Sequence, residues 1–307
     1  MLSKGEIIKT LRERKKISLD DLSRDICSSG NLSKIENGIQ EPTWERFCTL
    51  LERMGEEPRK YTFVMSKGEE KASVLYYEIG DLLNQERYQV VKEKLEELSN
   101  IKNLDRTWLR RIEYINIRIE IVESGNLREG IEKIENLINE INETFDIENI
   151  SRNFFTRNEL NILNYLASLY TSSGEVKKGV RLYKALKEYV EHKVADKNGF
   201  TNFYGMVIYN YSKYVGLSGD YENCIDLCDI GIKHNKKYGG WPGNLAGLFL
   251  NKGLSMLESE EYEQHEAIEV LLSSYLLHKQ LRDIKTTKVI EEYIKNKGLQ
   301  LAWTIEK

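Results

Sequence analysis

The segment SSGNLSKIENG, residues Ser28 to Gly38, carries more hydrogen-bonding side chains than a helix of its length needs. Only Leu32 and Ile35 are large and apolar, and their spacing puts both on one helix face. Serine and asparagine are mediocre helix formers because their side chains compete for backbone hydrogen bonds. The segment therefore predicts a short helix whose polar face serves a purpose other than packing. The polar residues are Ser28, Ser29, Asn31, Ser33, Lys34 and Asn37.

Histidine and cysteine, which often serve in catalysis or metal binding, form no recognisable site in the sequence. The four histidines are scattered, and none belongs to an HExxH, catalytic-triad or nucleotide-binding pattern. Cys224 and Cys228 share a helix face in NCIDLCDIG, but no nearby histidine or second cysteine pair completes a metal site. Buried, reduced thiols are the preferred interpretation. We predict no metal, no cofactor and no enzymatic activity.

The composition indicates a folded, soluble protein with more than one domain. The chain has 307 residues, of which 40% are hydrophobic and 31% charged. Only 3 prolines interrupt it, so long tracts are free to form helices. The apolar runs are short and punctuated by lysine and glutamate, and the N-terminus has no apolar signal core, so we expect no membrane segment. These features predict an all-α cytoplasmic protein.

Positive charge is concentrated in two places, although the formal net charge is −4. Residues 1–16 contain six basic and two acidic side chains, a local net charge of +4. This excess suggests an anionic partner, but a solvated helix face is the preferred interpretation. A second cluster could receive a carboxylate, although surface ion pairing is again preferred. It consists of Arg110, Arg111 and Arg118.

Residues 1–60 predict a small domain of four or five short helices. Ser18 can cap the second helix, and Ser28 or Ser29 the third. Gly38 is placed to end the third helix, and Pro42–Thr43 to open a fourth. Apolar residues at helical spacing supply one core, which is large enough for a domain of this size to fold.

The stretch SLDDLSRDICSSGNLSKIENGIQEP resembles the helix-turn-helix of phage-repressor and XRE-type regulators, and the resemblance covers roughly residues 5–58. It implies that the second helix of the motif enters the DNA major groove. Serine and asparagine would then contact base edges, and Lys34 the phosphate backbone. Simple capping and solvation of the helix is the alternative. The glutamine that often begins each motif helix is replaced near Leu19 and Gly30, which leaves the base preference open. The predicted reading face is Ser28, Ser29, Asn31 and Lys34, with Ser18 and Asn37 near phosphates.

After residue 65 the chain contains internal repeats of a turn followed by a helix. The apolar residue after each turn recurs at intervals of 39, 49, 45 and 41 residues, looser than a standard tetratricopeptide repeat. Small residues follow three positions later, at Gly130, Gly179 and Cys224, where paired helices must approach closely. We predict about five degenerate tetratricopeptide repeats over residues 70–280, forming a right-handed superhelix with a concave face and a C-terminal capping helix. The aligned residues are Tyr88, Leu127, Val176, Tyr221 and Tyr262.

The first helix of several repeats contains asparagines that a helix would otherwise disfavour. An asparagine side chain presents a donor and an acceptor, so it can hold a peptide C=O and N–H together. A series of asparagines on the concave face could bind a peptide backbone without reading its side chains. Simple solvation is the alternative for any single one. The asparagines are Asn158, Asn161, Asn164, Asn210 and Asn251, and the predicted side-chain pockets use Tyr209, Tyr214, Phe203 and Leu248.

The combination of these two parts resembles the RNPP regulators, the peptide-pheromone receptors of Gram-positive bacteria, and among them the PlcR type. The resemblance implies that Asn164 and Asn210, with Asn251 a weaker third, clamp the backbone of an imported linear peptide. It also implies a homodimer with two DNA-reading heads on a palindromic double-stranded operator. The implied organisation is a DNA-binding domain over 1–60, a linker or linker helix over 61–75, and a peptide-binding and dimerisation domain over 76–307.

The sequence therefore predicts a transcription regulator in which peptide binding changes the arrangement of the DNA-binding heads or the oligomeric state. One alternative is a repeat scaffold that binds a folded protein, as Rap-type proteins do. Another is a repressor with no peptide ligand. The identity of the peptide and of the operator stays open.

Overall fold

The computed structural model describes residues 3–58, 60–61, 67–102, 104, 106–141, 145–153, 155–194 and 200–298. Within these residues the regular secondary structure is helical and includes no β-strand, so the all-α prediction is confirmed. No helix of this described part is long and apolar enough to cross a membrane. Contacts divide the chain into two compact units. The first contains residues 1–173 and 192–199, and the second contains residues 174–191 and 200–307.

Four short helices form the N-terminal part of the first unit. Each begins after a serine or threonine whose side-chain oxygen accepts a hydrogen bond from the backbone N–H three residues later. The predicted caps Ser18 and Ser28 are confirmed, and Gly38 follows the third helix with φ 71°. The helices are α1 Lys4–Arg14, α2 Leu19–Ser23, α3 Ser29–Glu36 and α4 Trp44–Arg53.

The core of this domain depends on a close crossing of α1 and α3. Leu32 and Ile35 of α3 are fully buried among the apolar residues of the other three helices. A Cβ atom on Gly5 of α1 would lie 2.0 Å from the carbonyl oxygen of Ile35. Because that oxygen belongs to the backbone, it cannot rotate away. Only a glycine lets the two helices approach so closely.

An ion pair also joins α1 to α3. Arg12 donates from Nε and Nη2 to the two carboxylate oxygens of Glu36, at 2.6 and 2.7 Å, and the Glu36 side chain is buried. This hydrogen bond raises the pKa of Arg12. Lys4 donates to the Pro42 carbonyl at 3.3 Å, and Lys15 lies 3.0 Å from Glu56. Much of the positive charge predicted for the first helix is therefore balanced inside the domain.

In the part of the chain that the structure describes, five pairs of consecutive helices and a final single helix follow the N-terminal domain, as predicted. The second helix starts at the aligned residue in four pairs, and Tyr262 lies just before the start of the fifth. Residues 62–66 of the predicted linker and 299–303 of the predicted capping segment lie outside the described residues. The pairs are α5 Lys67–Asn84 with α6 Tyr88–Ser99, α7 Arg106–Ser124 with α8 Leu127–Ile141, α9 Arg157–Ser172 with α10 Val176–Lys193, α11 Thr201–Leu217 with α12 Tyr221–Tyr238, and α13 Pro242–Glu258 with α14 Gln264–Gln280; the last helix is α15 Ile284–Asn296.

Within the first unit, α4 of the N-terminal domain contacts α7 of the repeats through a buried ion pair. Arg111 donates from Nη1 to Oε2 of Glu45 at 2.6 Å. Its guanidinium also lies over the rings of Trp108 and Tyr76, at 4.9 and 5.0 Å from their centroids. Burial opposes the charge, but Glu45 and Tyr76 outweigh it, and the pKa of Arg111 is raised. The prediction of a surface ion pair for Arg111 is therefore wrong.

Asn158 of α9 completes this buried cluster. Its carbonyl oxygen accepts from Nε of Arg111 at 2.6 Å, and its amide nitrogen donates to the Tyr76 hydroxyl at 2.9 Å. This orientation follows from the chemistry of arginine, which donates hydrogen bonds and accepts none. Nearby, Arg157 of α9 pairs with Glu57 at 3.0 Å. Asn158 therefore braces Arg111, which pairs with Glu45 of α4, and the Arg157–Glu57 pair joins α9 to the N-terminal domain.

We expect Gly5→Ala to lower the free energy of unfolding by about 1–3 kcal/mol, because the new methyl group overpacks the crossing against a backbone oxygen. Thermal unfolding measures the effect. Gly80→Ala in α5 is the matched control, since a Cβ there meets no atom within 4 Å. An equal effect of both substitutions would contradict the assigned crossing.

We expect Arg111→Met to lower the free energy of unfolding by about 3–5 kcal/mol, because it leaves the Glu45 carboxylate buried without its cation. The double variant Glu45→Gln with Arg111→Met should recover part of this loss in denaturant titration. Lys133→Met, which removes an exposed ion pair with Glu120, should leave the unfolding midpoint nearly unchanged. A double variant less stable than Arg111→Met would refute the charge explanation.

Candidate functional site

The solvent-exposed side of α3 forms a polar stripe. Gly30, Lys34 and Asn37 are exposed at helical spacing, and Ser33 between them is half-buried. We call these four residues the α3 face. Leu32 and Ile35 pack on the opposite side, so the core holds the face outward. Asn37 lies 3.5 Å from the Ser33 hydroxyl. The face presents short hydrogen-bonding groups and one cation.

The predicted reading residues differ in accessibility. Ser28 is exposed, and its hydroxyl oxygen accepts from the Asn31 backbone N–H at 3.2 Å. Ser29 and Asn31 are half-buried, and the Asn31 side-chain oxygen is shielded from solvent without a hydrogen-bond partner among the described residues. Gly30 and Ser33 were not included in the predicted reading face. Counting four residues back along the helix from Asn37 and from Lys34 would have found Ser33 and Gly30.

Ser18 lies at the exposed start of α2, the first helix of the motif. Its hydroxyl donates to Oδ2 of Asp21 at 2.7 Å and accepts from the Asp21 backbone N–H. Arg24 donates to the other Asp21 oxygen at 2.9 Å and is half-exposed. Through Asp21, the cation Arg24, which was not among the predicted site residues, is linked to this helix start.

In the first unit, α9 carries Asn161 and Asn164. Asn161 is half-buried, and Asn164 is buried with 6% of its surface exposed. Leu160 and Leu163 on the same helix belong to the core. The two asparagines therefore lie at the border between the core and the surface of α9.

In the second unit, α11 presents an accessible stripe with few charges. Asn202, Met206, Asn210, Lys213 and Leu217 follow one another at intervals of three or four residues, and none of them is buried. Asn210 is half-buried at the centre of the stripe, between an apolar residue and a cation. Such a surface can offer hydrogen bonds and apolar contact to an extended chain.

Asn251 has a structural role that the sequence did not indicate. Its amide nitrogen donates to the Tyr209 carbonyl at 3.1 Å and to the Ser212 hydroxyl at 3.0 Å, which ties α13 to α11. Both amide hydrogens are thereby used. Only 9% of the residue is exposed. The prediction that Asn251 donates to a peptide is therefore corrected.

The four predicted pocket residues of the second unit separate into two groups. Phe203 and Leu248 are 4% and 0% exposed and belong to the core, so their assignment to a surface pocket is corrected. Tyr209 and Tyr214 are half-buried and keep accessible surface. Tyr214 stacks on Tyr183, with ring centroids 6.1 Å apart and planes at 12°. Burial raises the pKa of Tyr209, so its hydroxyl stays protonated at neutral pH.

Cys224 and Cys228 are buried free thiols, as predicted. Their mutual hydrogen bond lowers the pKa of Cys224 and raises that of Cys228. Among the described residues, no group of three or more histidine, cysteine, aspartate or glutamate side chains could hold a metal ion.

A helix-turn-helix domain followed by paired-helix repeats defines the class of this protein. The model of the RNPP family C-terminal domain matches residues 84–297, and the chain belongs to the RNPP family. A comparison with curated protein sequences gives no match.

Solved structures show a similar fold over nearly the whole chain. The crystal structure of Bacillus thuringiensis PlcR in complex with the peptide PapR7 and DNA has 18% identity and a TM-score of 0.63, covering 94% of this chain and 98% of that one. The apo form of PlcR has 17% identity and a TM-score of 0.61, covering 95% and 98%. A protein from Listeria monocytogenes EGD-e has 14% identity and a TM-score of 0.50, covering 97% and 99%. At these identities the likeness establishes the fold.

We expect Asn251→Ala to lower the free energy of unfolding by about 1–3 kcal/mol, because the Tyr209 carbonyl and Ser212 hydroxyl lose a buried donor. Asn202→Ala, at an exposed position of α11, is the control and should leave stability nearly unchanged. Chemical denaturation measures both variants. A stable Asn251→Ala protein would show that the α11–α13 tie is dispensable.

Proposed function

We propose that the chain is a cytoplasmic DNA-binding transcription regulator whose repeats bind a short signalling peptide imported from outside the cell. The observation that best supports this function is the polar α3 face, held outward by a buried core, in the same chain as the repeats. The solved PlcR complex contains both a peptide and DNA, and its fold matches almost end to end.

DNA would be read by α3 lying in the major groove. Ser28, Ser33 and Asn37 supply hydrogen-bonding groups for base edges or phosphates, and Lys34 supplies charge for the backbone. Ser18 and Arg24 at α2 would contact a neighbouring phosphate. One such domain binds weakly, so we propose a homodimer on a palindromic operator.

The peptide would be held by asparagines on the first helices of successive repeats. The proposed clamp residues are Asn164 on α9 of the first unit, one turn from Asn161, and Asn210 on α11 of the second unit, which also carries Tyr209 and Tyr214. Each asparagine can pair with both a C=O and an N–H of an extended backbone. Asn251 would act indirectly, by holding α13 against the α11 segment that contains Tyr209 and Asn210.

Peptide binding would act on DNA through a change in the population of two conformations. The peptide can shift this equilibrium only by its difference in affinity for the two forms. Within the first unit, the Arg111–Glu45 pair connects α7 of the repeats to α4 of the DNA-binding domain. A change in the repeats would therefore reach α3 through packed helices.

Double-stranded DNA sequences that bind the wild-type protein are first selected from a random pool. We expect Lys34→Ala to weaken binding to all of the selected sequences by a similar factor. The loss of one phosphate contact should reduce the slope of log affinity against log salt concentration by about 0.9 per protomer. Gel-shift titrations at several salt concentrations measure this. Lys184→Ala, an exposed lysine of α10, is the control. An unchanged slope in Lys34→Ala would exclude this phosphate contact.

We expect Asn210→Ala to raise the dissociation constant of a fluorescein-labelled linear peptide, selected from a random library on the wild-type protein, at least about tenfold. Fluorescence polarisation measures the affinity, and circular dichroism checks the fold. Asn223→Ala on α12 is the control, since Asn223 pairs locally with Asp220. Unchanged affinity in both Asn164→Ala and Asn210→Ala would exclude these asparagines as the peptide clamp.

A further inference from the structure

We propose that a cavity within the first unit binds a small organic oxyanion at the junction of the DNA-binding domain and the repeats. The cavity has a volume of about 160 Å³ and opens to solvent. It is lined by α4 and the turn after α2 on one side, and by α7, the end of α8 and the start of α9 on the other. Of the residues predicted to bind DNA or peptide, Asn158 lines it, and its amide is engaged with Arg111 and Tyr76.

Arginine side chains dominate the charge of this cavity. Arg46 of α4 and Arg106, Arg110 and Arg111 of α7 line it, against the two acidic residues Asp25 and Glu159. Arg111 is already balanced by Glu45, which lies outside the cavity lining. Arg106 lies 3.9 Å from the Glu140 carboxylate, whereas Arg46 and Arg110 form no ion pair among the described residues.

Arg110 is the clearest case of an arginine whose charge and hydrogen-bond donors are incompletely paired. Its Nη2 donates to the Glu140 carbonyl at 2.7 Å, but its Nε is buried without a hydrogen-bond partner in the described part of the chain. Burial, and then the neighbouring Arg106, lower the pKa of Arg110. An anion in the cavity would supply both the missing acceptor and the missing charge.

The acidic residues leave room for such an anion. Glu159 accepts from the Thr156 backbone N–H at 2.7 Å, so one carboxylate oxygen is used in a capping box. Asp25 is exposed in the turn between α2 and α3, with a left-handed φ of 61°. Neither acidic residue forms an ion pair with Arg110 within salt-bridge distance among the described residues. The Arg110 guanidinium thus remains available to a ligand.

The size and lining define the chemical class of the ligand. A volume of 160 Å³ equals the liquid volume of about five water molecules, enough for a phosphate or dicarboxylate group. Arginine binds such groups with two parallel hydrogen bonds. Thr156 adds a hydroxyl, whereas the Thr49 hydroxyl already donates to the Glu45 carbonyl; Ile26 and Ile162 add apolar surface for a short carbon chain. The ligand class is therefore a small phosphate ester or dicarboxylate.

Occupancy of this cavity would affect the DNA-binding domain directly. An anion between Arg46 of α4 and Arg110 of α7 joins the two parts of the unit, which Arg111 and Glu45 already connect. The anion would stabilise one arrangement of the two parts of the unit. By linkage, it would raise DNA affinity if DNA binds that arrangement more tightly, and lower DNA affinity if DNA binds it less tightly. This effector is chemically distinct from a peptide, and its binding does not depend on the proposed peptide site.

The test uses the full chain with inorganic phosphate, succinate and, at equal ionic strength, sodium chloride. Thermal unfolding and isothermal titration calorimetry should show saturable binding of phosphate or succinate and none of chloride. Binding of phosphate alone identifies a phosphate ester site, and binding of succinate alone a dicarboxylate site. The proposal is overturned if neither anion binds saturably, or if chloride has the same effect.

Two substitutions test whether the anion binds in this cavity. Arg110→Gln should raise the dissociation constant at least about tenfold, because a charge-assisted hydrogen bond is lost. Arg106→Gln, whose side chain is 73% exposed and therefore dispensable for folding, should weaken binding as well. Arg128→Gln, an exposed arginine of α8, is the matched control and should bind as the wild type does. Wild-type affinity in both Arg106→Gln and Arg110→Gln would place the anion elsewhere and refute the assignment.

Discussion

The buried ion pair between Arg111 and Glu45 is the constraint on which the first unit depends. A buried cation is tolerated only when an opposite charge and further hydrogen bonds compensate for lost water. Here Glu45 supplies the charge, Asn158 supplies an acceptor, and the rings of Tyr76 and Trp108 flank the guanidinium. These partners come from α4, α5, α7 and α9. The N-terminal domain is thereby part of the same compact unit as the first repeats.

Asparagine occurs in two settings in the repeats. Asn158 and Asn251 use their amides to join helices, since each bridges groups that are distant in sequence. Asn161 and Asn210 keep accessible surface on the first helices of their repeats. The residue type alone does not distinguish these two settings. The contacts that each side chain makes across helices, which helical periodicity does not predict, identify Asn158 and Asn251 as ties.

The sequence predicted the features that are local in the chain. The caps at Ser18 and Ser28, the stop at Gly38 and the starts of four second helices depend on neighbours within a few residues. Contacts between distant residues were not predictable. Arg111 finds its carboxylate 66 positions away, and Asn251 its acceptors 39 and 42 positions away. Helical periodicity identifies the buried side of a helix, but not which helix covers it, so Leu248 was assigned to a pocket.

The α1–α3 crossing determines which residues of α3 can be replaced without disturbing the core of the domain. Gly5 lies against the backbone of α3 rather than against a side chain. Arg12 forms an ion pair with Glu36, the last residue of α3. The contacts that hold α3 in place are therefore on its α1-facing side and at its C-terminal end. The outward residues Gly30, Ser33 and Lys34 are not part of the buried core. The residues on the outward surface of α3 and the residues that stabilise the domain are consequently at separate positions. Such an arrangement lets the outward surface change, or be redesigned, without loss of the contacts that hold the domain together.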